Sequence, residues 1–137
     1  MCLVCRNVSG EPQQLDIETG DGRTISFRVE IADTVKARRR GLMHRKSMSE
    51  DAGMLFDYPT PRPVAFWMKD TPIPLDIIFI DEKGLITGIH ADAKPESTGF
   101  IHSNGSVRAV LEINAGLTEK YSIRPGDRVR HDIFNLP

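Results

Sequence analysis

Alternation of apolar and polar residues recurs along the chain and predicts short β-strands. Near the start, the segment "LDIETGDGRTISFRVEIAD" places Phe27, Val29 and Ile31 on one parity, the period of two that a strand with one buried face shows. The intervening "TGDG" has the composition of a tight turn. We therefore expect a hairpin in this part of the chain.

The most apolar segment lies in the middle of the chain, in "AFWMKDTPIPLDIIFIDEKGLITGIHAD". Residues 75–80 are apolar at nearly every position, as in a strand that is buried on both faces. The following "DEKG" contains a glycine that can adopt positive φ, so a second hairpin is predicted. Before it, Pro72 and Pro74 end the preceding strand and bend the chain.

One short helix is expected near residues 34–44, because Asp33 or Thr34 can cap it and apolar residues recur on one face. Loops are expected over the proline-rich residues 59–64 and over residues 92–106. Two more strands are predicted in "VRAVLEIN" and "RVRHDIF". About seven short strands with little helix indicate an all-β fold, either a compact β-sandwich or a small barrel.

Length and composition narrow the class of protein. The 137 residues, 39% hydrophobic and 27% charged, are typical of one globular domain, which we assign to residues 14–137. Residues 1–13 are expected to be a disordered tail or the remnant of a signal segment. A net charge of -1 gives no reason to expect a nucleic-acid partner, and no apolar run reaches the roughly 20 residues that span a bilayer.

The candidate metal ligands have ordinary structural explanations. Cys2 and Cys5 form a lone CxxC, which supplies too few ligands for a structural zinc site. Four of the five methionines fall between residues 43 and 68 and would suit copper, but methionine beside leucine or tryptophan is typical core filler.

The basic run "KARRRGLMHRK" is interpreted as a solvated helix face. We expect a monomer with no metal and no cofactor.

The candidate site follows from strand parity around the proline bend. Asp76 has the parity of two isoleucines in its strand, so a buried face would bring its carboxylate into apolar surroundings, where it needs a partner. Lys69 and Arg108 are the cations that we expect to pair with it. Glu112, in "VLEIN", is a second carboxylate on a strongly apolar strand.

Two hypotheses explain these residues. In the first, these residues line a cleft that binds a small ligand, because tryptophan beside polar groups suits sugars and other ring-bearing molecules. The residues of this cleft are Trp67, Lys69, Asp70, Asp76 and Glu112. Two carboxylates in such a cleft could also act as general acid and base. In the second, Asp76 belongs to an internal ion pair that holds the proline bend. The sequence has no P-loop or Rossmann fingerprint. It also has no catalytic cysteine or serine nucleophile elbow, which argues against nucleophilic catalysis.

The motifs and their order resemble domain-of-unknown-function family 192, an uncharacterised family. The similarity covers about residues 15–134 and includes "GLM", "GMLF", "FWMK", "PLD" and "VLE". Asp70 stands where the family more usually has asparagine. The resemblance implies a compact, mostly β, exported domain with a short helix, located in the periplasm or cell envelope. It implies no established activity.

We therefore predict a non-enzymatic binding module for a small polar molecule, a sugar or a peptide, held near Trp67, Lys69, Asp76 and Glu112. No catalytic residue is assigned. The first alternative is a carboxylate-dependent hydrolase or lyase that uses Asp76 and Glu112. The second is a structural or protein-interaction domain with no small-molecule site, in which the same residues serve the core.

Overall fold

The computed structural model describes residues 10–134, which form one seven-stranded sheet and two short α-helices. The strands are β1 Gln13–Glu18, β2 Thr24–Ala32, β3 Ala52–Phe66, β4 Leu75–Ile80, β5 Ile86–Ala93, β6 Ile101–Asn114 and β7 Arg128–Arg130. The helices are α1 Val35–Arg40 and α2 Leu117–Lys120, and a 3-10 helix, Asp132–Phe134, follows β7. No helix among residues 10–134 has the length and hydropathy that crossing a membrane requires.

The strands are ordered β5-β4-β6-β3-β2-β1-β7, and β2 with β3 is the one parallel pair among these seven. A parallel pair needs a crossover connection, and α1 lies in it. The sheet edges meet where Leu85 bridges to Arg128 and the Val129 N–H donates to the Gly84 carbonyl at 2.7 Å. The sheet therefore curls into a partly closed barrel, which confirms the mostly β class and matches the barrel alternative.

Both faces of the sheet are buried at its centre, because all six residues of β4 are buried. One face, which we call the α2 face, includes Leu111 of β6 and packs against Leu117 of α2. The α1 face packs against the connection that contains α1 and includes Leu42. Consecutive residues of β4 alternate between the two, so Ile77 lies on the α1 face and Ile78 on the α2 face. Any polar side chain in the central strands thus enters one of two separate layers.

Both predicted hairpins are present, as β1–β2 and β4–β5. In the second, Gly84 has a φ of 84° in the turn. The predicted helix is shorter than residues 34–44. Its first turn is capped by Thr34, whose hydroxyl accepts the Ala37 N–H at 3.0 Å, and it ends at Gly41 with a φ of 50°. A second helix, α2, of four residues lies between β6 and β7.

Three predicted boundaries are wrong. β3 continues through the proline-rich residues 59–64, and its ladder with β6 breaks after Asp57 and resumes at Arg62. Proline has no N–H to donate, so the strand passes this segment with irregular pairing. β6 begins inside the predicted 92–106 loop, because Ile101 pairs with the end of β3 at Phe66. The last strand is short, since the chain turns into the 3-10 helix.

The predictions for the N-terminal tail lie mostly outside the described residues. This applies to residues 1–9, and so to Cys2 and Cys5. Gln13, assigned to the tail, is instead the first residue of β1, paired with Val29 of β2. The ordered sheet therefore begins one residue earlier than the sequence indicated.

Candidate functional site

Asp76 lies on the α2 face, completely buried, and its carboxylate accepts three hydrogen bonds. Oδ1 accepts the Asp92 N–H at 2.9 Å, and Oδ2 accepts the Thr118 N–H at 3.0 Å and the Thr118 hydroxyl at 2.6 Å. The β4–β5 ladder is irregular between Leu75 and Ile77. Asp92 of β5 lies opposite this irregularity and outside the regular pairing. Asp76 therefore joins β4 to this irregularity and to the first turn of α2.

The predicted cation partners of Asp76 are wrong. Lys69 Nζ lies 5.2 Å from the centre of the Trp67 ring, and Arg108 forms an ion pair with Asp57. Backbone N–H groups and a hydroxyl can satisfy a buried carboxylate without a cation. Strand parity thus identified the burial of Asp76 but not the groups that compensate it.

Glu112 lies on the opposite side of the sheet from Asp76. It stands directly across from Ile77 in β4 and Met54 in β3, both of which belong to the α1 face. The common cleft predicted for Asp76 and Glu112 is therefore wrong. The hydrolase or lyase alternative, which needs both carboxylates at one site, is contradicted by this register.

The Glu112 carboxyl group makes no hydrogen bond or ion pair within residues 10–134, although the residue is only 4% exposed. No fully buried side-chain oxygen or nitrogen in this part of the chain lacks a hydrogen-bond partner, so the carboxyl oxygens reach the accessible space beside them. Burial raises the pKa of Glu112 to about 8, because an unpaired charge is disfavoured in apolar surroundings. The group is accordingly a neutral carboxylic acid over most of the neutral pH range.

Glu112 lines a cavity of about 410 Å³ on the α1 face, which we call the Glu112 pocket. The pocket lies between β3 and the segment formed by α1 and the residues after it. Its lining combines aromatic and arginine side chains: Phe56, Tyr58, Phe66, Trp67, Arg38, Arg39, Arg40 and Arg62. Glu112 is the one acidic residue in this lining. The size falls within the range of small-molecule sites.

Two of the arginines are positioned on one aromatic ring. The guanidinium carbons of Arg38 and Arg62 lie 5.2 and 4.9 Å from the centre of the Tyr58 ring. Arg38 also donates a hydrogen bond to the Asp57 carbonyl at 3.0 Å. Burial raises the pKa of Tyr58, and the two guanidinium groups oppose this shift. In the described part of the chain, none of the four pocket arginines pairs with a carboxylate.

Trp67 lies in the pocket lining with part of its ring in solvent, at 38% exposure. It stacks on Phe100 with ring centres 5.6 Å apart and planes 9° from parallel. Lys69 Nζ is also within cation–π distance of the indole. The exposed part of the indole leaves an aromatic surface free for a ligand.

The wall beside Phe56 requires glycine at position 41. A Cβ there would lie 3.2 Å from Phe56 Cζ, and the residue also has positive φ. Glycine at position 41 therefore allows both the positive φ at the end of α1 and the close contact with Phe56, which lines the pocket.

The family model of DUF192, described as an uncharacterised ACR, matches residues 16–131. The chain belongs to this family. A solved structure from Sinorhizobium meliloti 1021, described as a "putative transcription regulator", is 42% identical with a TM-score of 0.87, over 91% of this chain and 97% of that one. A protein of unknown function from Novosphingobium aromaticivorans DSM 12444 is 36% identical with a TM-score of 0.85, over 93% and 91%. No curated protein matches the chain.

Membership of DUF192 confirms the resemblance seen in the motifs, and the structure explains the aspartate in the tryptophan motif. Asp70 has a φ of 55°, a left-handed conformation that asparagine and aspartate adopt more readily than most residues. Its carbonyl accepts the His44 N–H at 2.7 Å and so joins the segment after α1 to the Trp67 segment. Lys69 and Asp70 thus support the pocket from outside its lining.

Of the five predicted site residues, Trp67 and Glu112 line the pocket of this DUF192 domain. The four pocket arginines were missed as site residues, although the basic run "KARRRGLMHRK" contains three of them and the proline-rich residues 59–64 contain Arg62. The approach of Arg38 and Arg62 to Tyr58 depends on the β2–β3 crossover, which periodicity does not reveal. Met54 and Met68 are buried in the core, as expected for apolar filler.

Proposed function

We propose that this DUF192 domain is a non-enzymatic binding module that holds a small polar ligand, a sugar or a peptide, in the Glu112 pocket. The observation that carries this proposal is that the Glu112 carboxyl group has no protein partner among residues 10–134 and opens onto a cavity. Polar groups in protein interiors are nearly always hydrogen-bonded, so the partner of Glu112 comes from what occupies the cavity, which is water or a ligand. A neutral carboxyl offers one donor and one acceptor, which suits a hydroxyl or an amide.

The pocket supports binding better than catalysis. General acid–base chemistry in the predicted form needs two carboxyl groups within reach of one ligand. Glu112 is the one carboxyl group in the lining, and Asp76 is occupied by the amides and hydroxyl that it joins. The aromatic walls instead offer apolar surface against which the faces of a sugar ring or peptide side chain can pack.

A ligand screen tests the proposal through Trp67, which is the single tryptophan of the chain and lines the pocket. Sugars and short peptides are screened for a rise in melting temperature, and hits are titrated by tryptophan fluorescence. We expect a hit to bind at least about tenfold more weakly to Glu112→Met, because this variant lacks one hydrogen-bonded contact with the ligand. Glu119→Gln, a change at an exposed carboxylate of α2, is expected to leave affinity unchanged. Absence of any hit, or hits insensitive to Glu112→Met, would overturn the proposal.

A protein-interaction role is the second candidate, because Phe100 and Val35 are large apolar side chains exposed at 62% and 65%. Phe100 extends the aromatic surface from Trp67 beyond the pocket. Our preferred proposal is a monomer, which sedimentation of the wild type tests directly. Self-association that Phe100→Ser abolishes would favour the interaction role instead.

We also propose that the domain acts in the periplasm or cell envelope and has no nucleic-acid partner. The location is supported by the family resemblance and is tested by fractionating cells that express the full-length gene product. Although one similar structure is described as a regulator, the net charge here is -1 and the unpaired arginines line a cavity. A gel-shift assay at low salt is expected to show no complex with duplex DNA, and a specific shift would contradict this.

A further inference from the structure

We propose that the ligand of the Glu112 pocket carries an anionic oxyacid group, a carboxylate or a phosphate, which Arg38 and Arg62 bind while an uncharged end reaches Glu112. This inference rests on the proposed function and names the chemical class of the ligand. It makes the pocket selective for small anions that also carry a hydroxyl or amide.

The first support is the charge of the lining. Four arginines line one cavity, and the guanidinium groups of Arg38 and Arg62 lie on the ring of Tyr58, which also lines it. The single acidic residue in the lining is a carboxyl group that burial keeps protonated near neutral pH. No carboxylate among residues 10–134 pairs with any of the four. Like charges around a partly enclosed space repel one another, and an anion bound among them relieves that repulsion. A cationic ligand is disfavoured by the same field.

The second support is that the guanidinium groups are held in place before a ligand binds. Arg38 and Arg62 both lie against the Tyr58 ring, and Arg38 is also fixed by the Asp57 carbonyl. The Asp57 carboxylate is engaged by Arg108, so it does not neutralise Arg38. Each guanidinium has five N–H donors, and within residues 10–134 most of those on Arg38 and Arg62 have no protein acceptor. Preorganised forks of this kind suit planar carboxylates and phosphates.

The third support is the combination of two chemistries in one cavity. Glu112 presents a neutral donor and acceptor in the lining, whereas the arginines present charge. A ligand that satisfies both carries an oxyacid and an uncharged polar group on one small framework. Phosphorylated or acidic sugars and the C-terminal carboxylate of a peptide share this chemistry.

Matched ligand pairs distinguish these sources. We would titrate the full chain by Trp67 fluorescence with a hexose phosphate against the plain hexose, and with a dipeptide against its C-terminal amide. The charged member of one pair is expected to bind at least about tenfold more tightly, since a hydrogen bond to a charged group contributes more than a neutral one. The pair that shows the difference identifies the source. Added sodium chloride is expected to weaken the charged member selectively.

Arginine variants test which residues bind the anion. Arg38→Met and Arg62→Met are each expected to weaken the charged ligand about ten- to hundredfold and to leave the neutral member unchanged. Arg124→Met, at an exposed residue outside the pocket lining, is the matched control and is expected to have no effect. Each variant is first shown to keep the wild-type melting profile, so that lost binding is not lost folding.

The failures of the two proposals differ. Equal affinity for charged and neutral members, with continued sensitivity to Glu112→Met, would overturn the anion inference and leave the binding module standing. Charged ligands that are insensitive to both arginine variants would also overturn it. If neither pair binds but the wider screen gives Glu112-dependent hits, the anion inference alone fails. If the wider screen is empty as well, both fail.

Discussion

At the residue scale, two buried carboxyl groups of similar sequence context have opposite surroundings. Asp76 and Glu112 both sit in strongly apolar strands and are both buried, although parity predicted burial for Asp76 alone. Asp76 is satisfied by an amide at an irregularity in β5 and by the start of α2, whereas Glu112 faces a cavity. These partners come from distant parts of the chain. The sequence therefore predicts the burial of Asp76 but not the different roles of the two carboxyl groups.

Replacement of Asp76 tests its structural role. Asp76→Ala leaves two backbone N–H groups and one hydroxyl without their acceptor in the core, and each such loss costs about 1–3 kcal/mol. We expect the free energy of unfolding in urea to fall by about 3 kcal/mol or more. Asp51→Ala, at an exposed aspartate, is expected to change it by less than about 0.5 kcal/mol. A loss below about 1 kcal/mol for Asp76→Ala would contradict the role assigned here.

The pH dependence of stability tests the burial of Glu112. Its pKa rises from the usual 4.5 to about 8 on folding, so the folded state holds a proton that the unfolded state releases between these values. The contribution of this proton to stability is fully present below pH 4.5 and is lost as the pH rises to about 8. We expect a loss on the order of a few kcal/mol across that window.

The comparison is made by urea denaturation of wild type and Glu112→Gln at several pH values between 4.5 and 8. The side chain at this position cannot ionise in the variant. The free energy of unfolding of Glu112→Gln is therefore expected to fall less with rising pH than that of the wild type, by the few kcal/mol expected for Glu112 across this window. Glu119→Gln serves as the exposed control and keeps the wild-type slope. Parallel curves for wild type and Glu112→Gln would mean that Glu112 is solvated or paired in the folded state.

At the element scale, the local parts of the fold were predictable and the non-local ones were not. The hairpins β1–β2 and β4–β5 follow from alternation and turn residues that are adjacent in sequence. The long antiparallel pair β3–β6 was partly missed, because prolines in residues 59–64 look like a loop until a partner strand is known. That same extension carries Arg62 and Phe66 into the pocket.

Close packing of β3 on β6 is tested at Gly53. A Cβ at Gly53 would lie 2.7 Å from the Glu112 carbonyl oxygen, a backbone atom that cannot move without shifting β6. We expect Gly53→Ala to lower the free energy of unfolding by about 1–3 kcal/mol, as overpacking does. Gly88→Ala is the matched strand control, since its Cβ would meet Phe79 at an ordinary 3.8 Å. Equal effects of the two substitutions would contradict the close β3–β6 approach.

At the scale of the whole molecule, the curled sheet is closed where the β4–β5 turn meets β7. Gly84 is central to this contact, because it has a φ of 84° and a Cβ added to it would lie 2.7 Å from the Val129 carbonyl oxygen. Family and mostly β class were predictable because they depend on motif order and periodicity. The pocket was not, because its walls come from the crossover, the β3 extension and β6, which meet only when the sheet is assembled.

The closure is tested by comparing two glycines with similar backbone conformation. Gly84 and Gly126 both have positive φ, but an added Cβ at Gly126 meets no atom within 4 Å. Alanine strains both, so Gly84→Ala is expected to be more destabilising than Gly126→Ala by about 1 kcal/mol or more. Hydrogen exchange of the Val129 N–H, which donates to Gly84, should accelerate in Gly84→Ala. Unchanged protection there would show that the sheet edges do not meet.

The central claim is that the fold holds an unpartnered carboxylic acid in the lining of an accessible pocket, and an NMR titration of Glu112 tests it most directly. The side-chain carboxyl carbon is followed from acid to alkaline pH in ¹³C-labelled protein, with Glu112→Gln identifying its signal. A midpoint at about 8 is the result that the structure predicts. A midpoint near the usual 4.5 would contradict the claim, because it would place the carboxyl group in water or beside a cation and remove the reason for assigning a ligand site there.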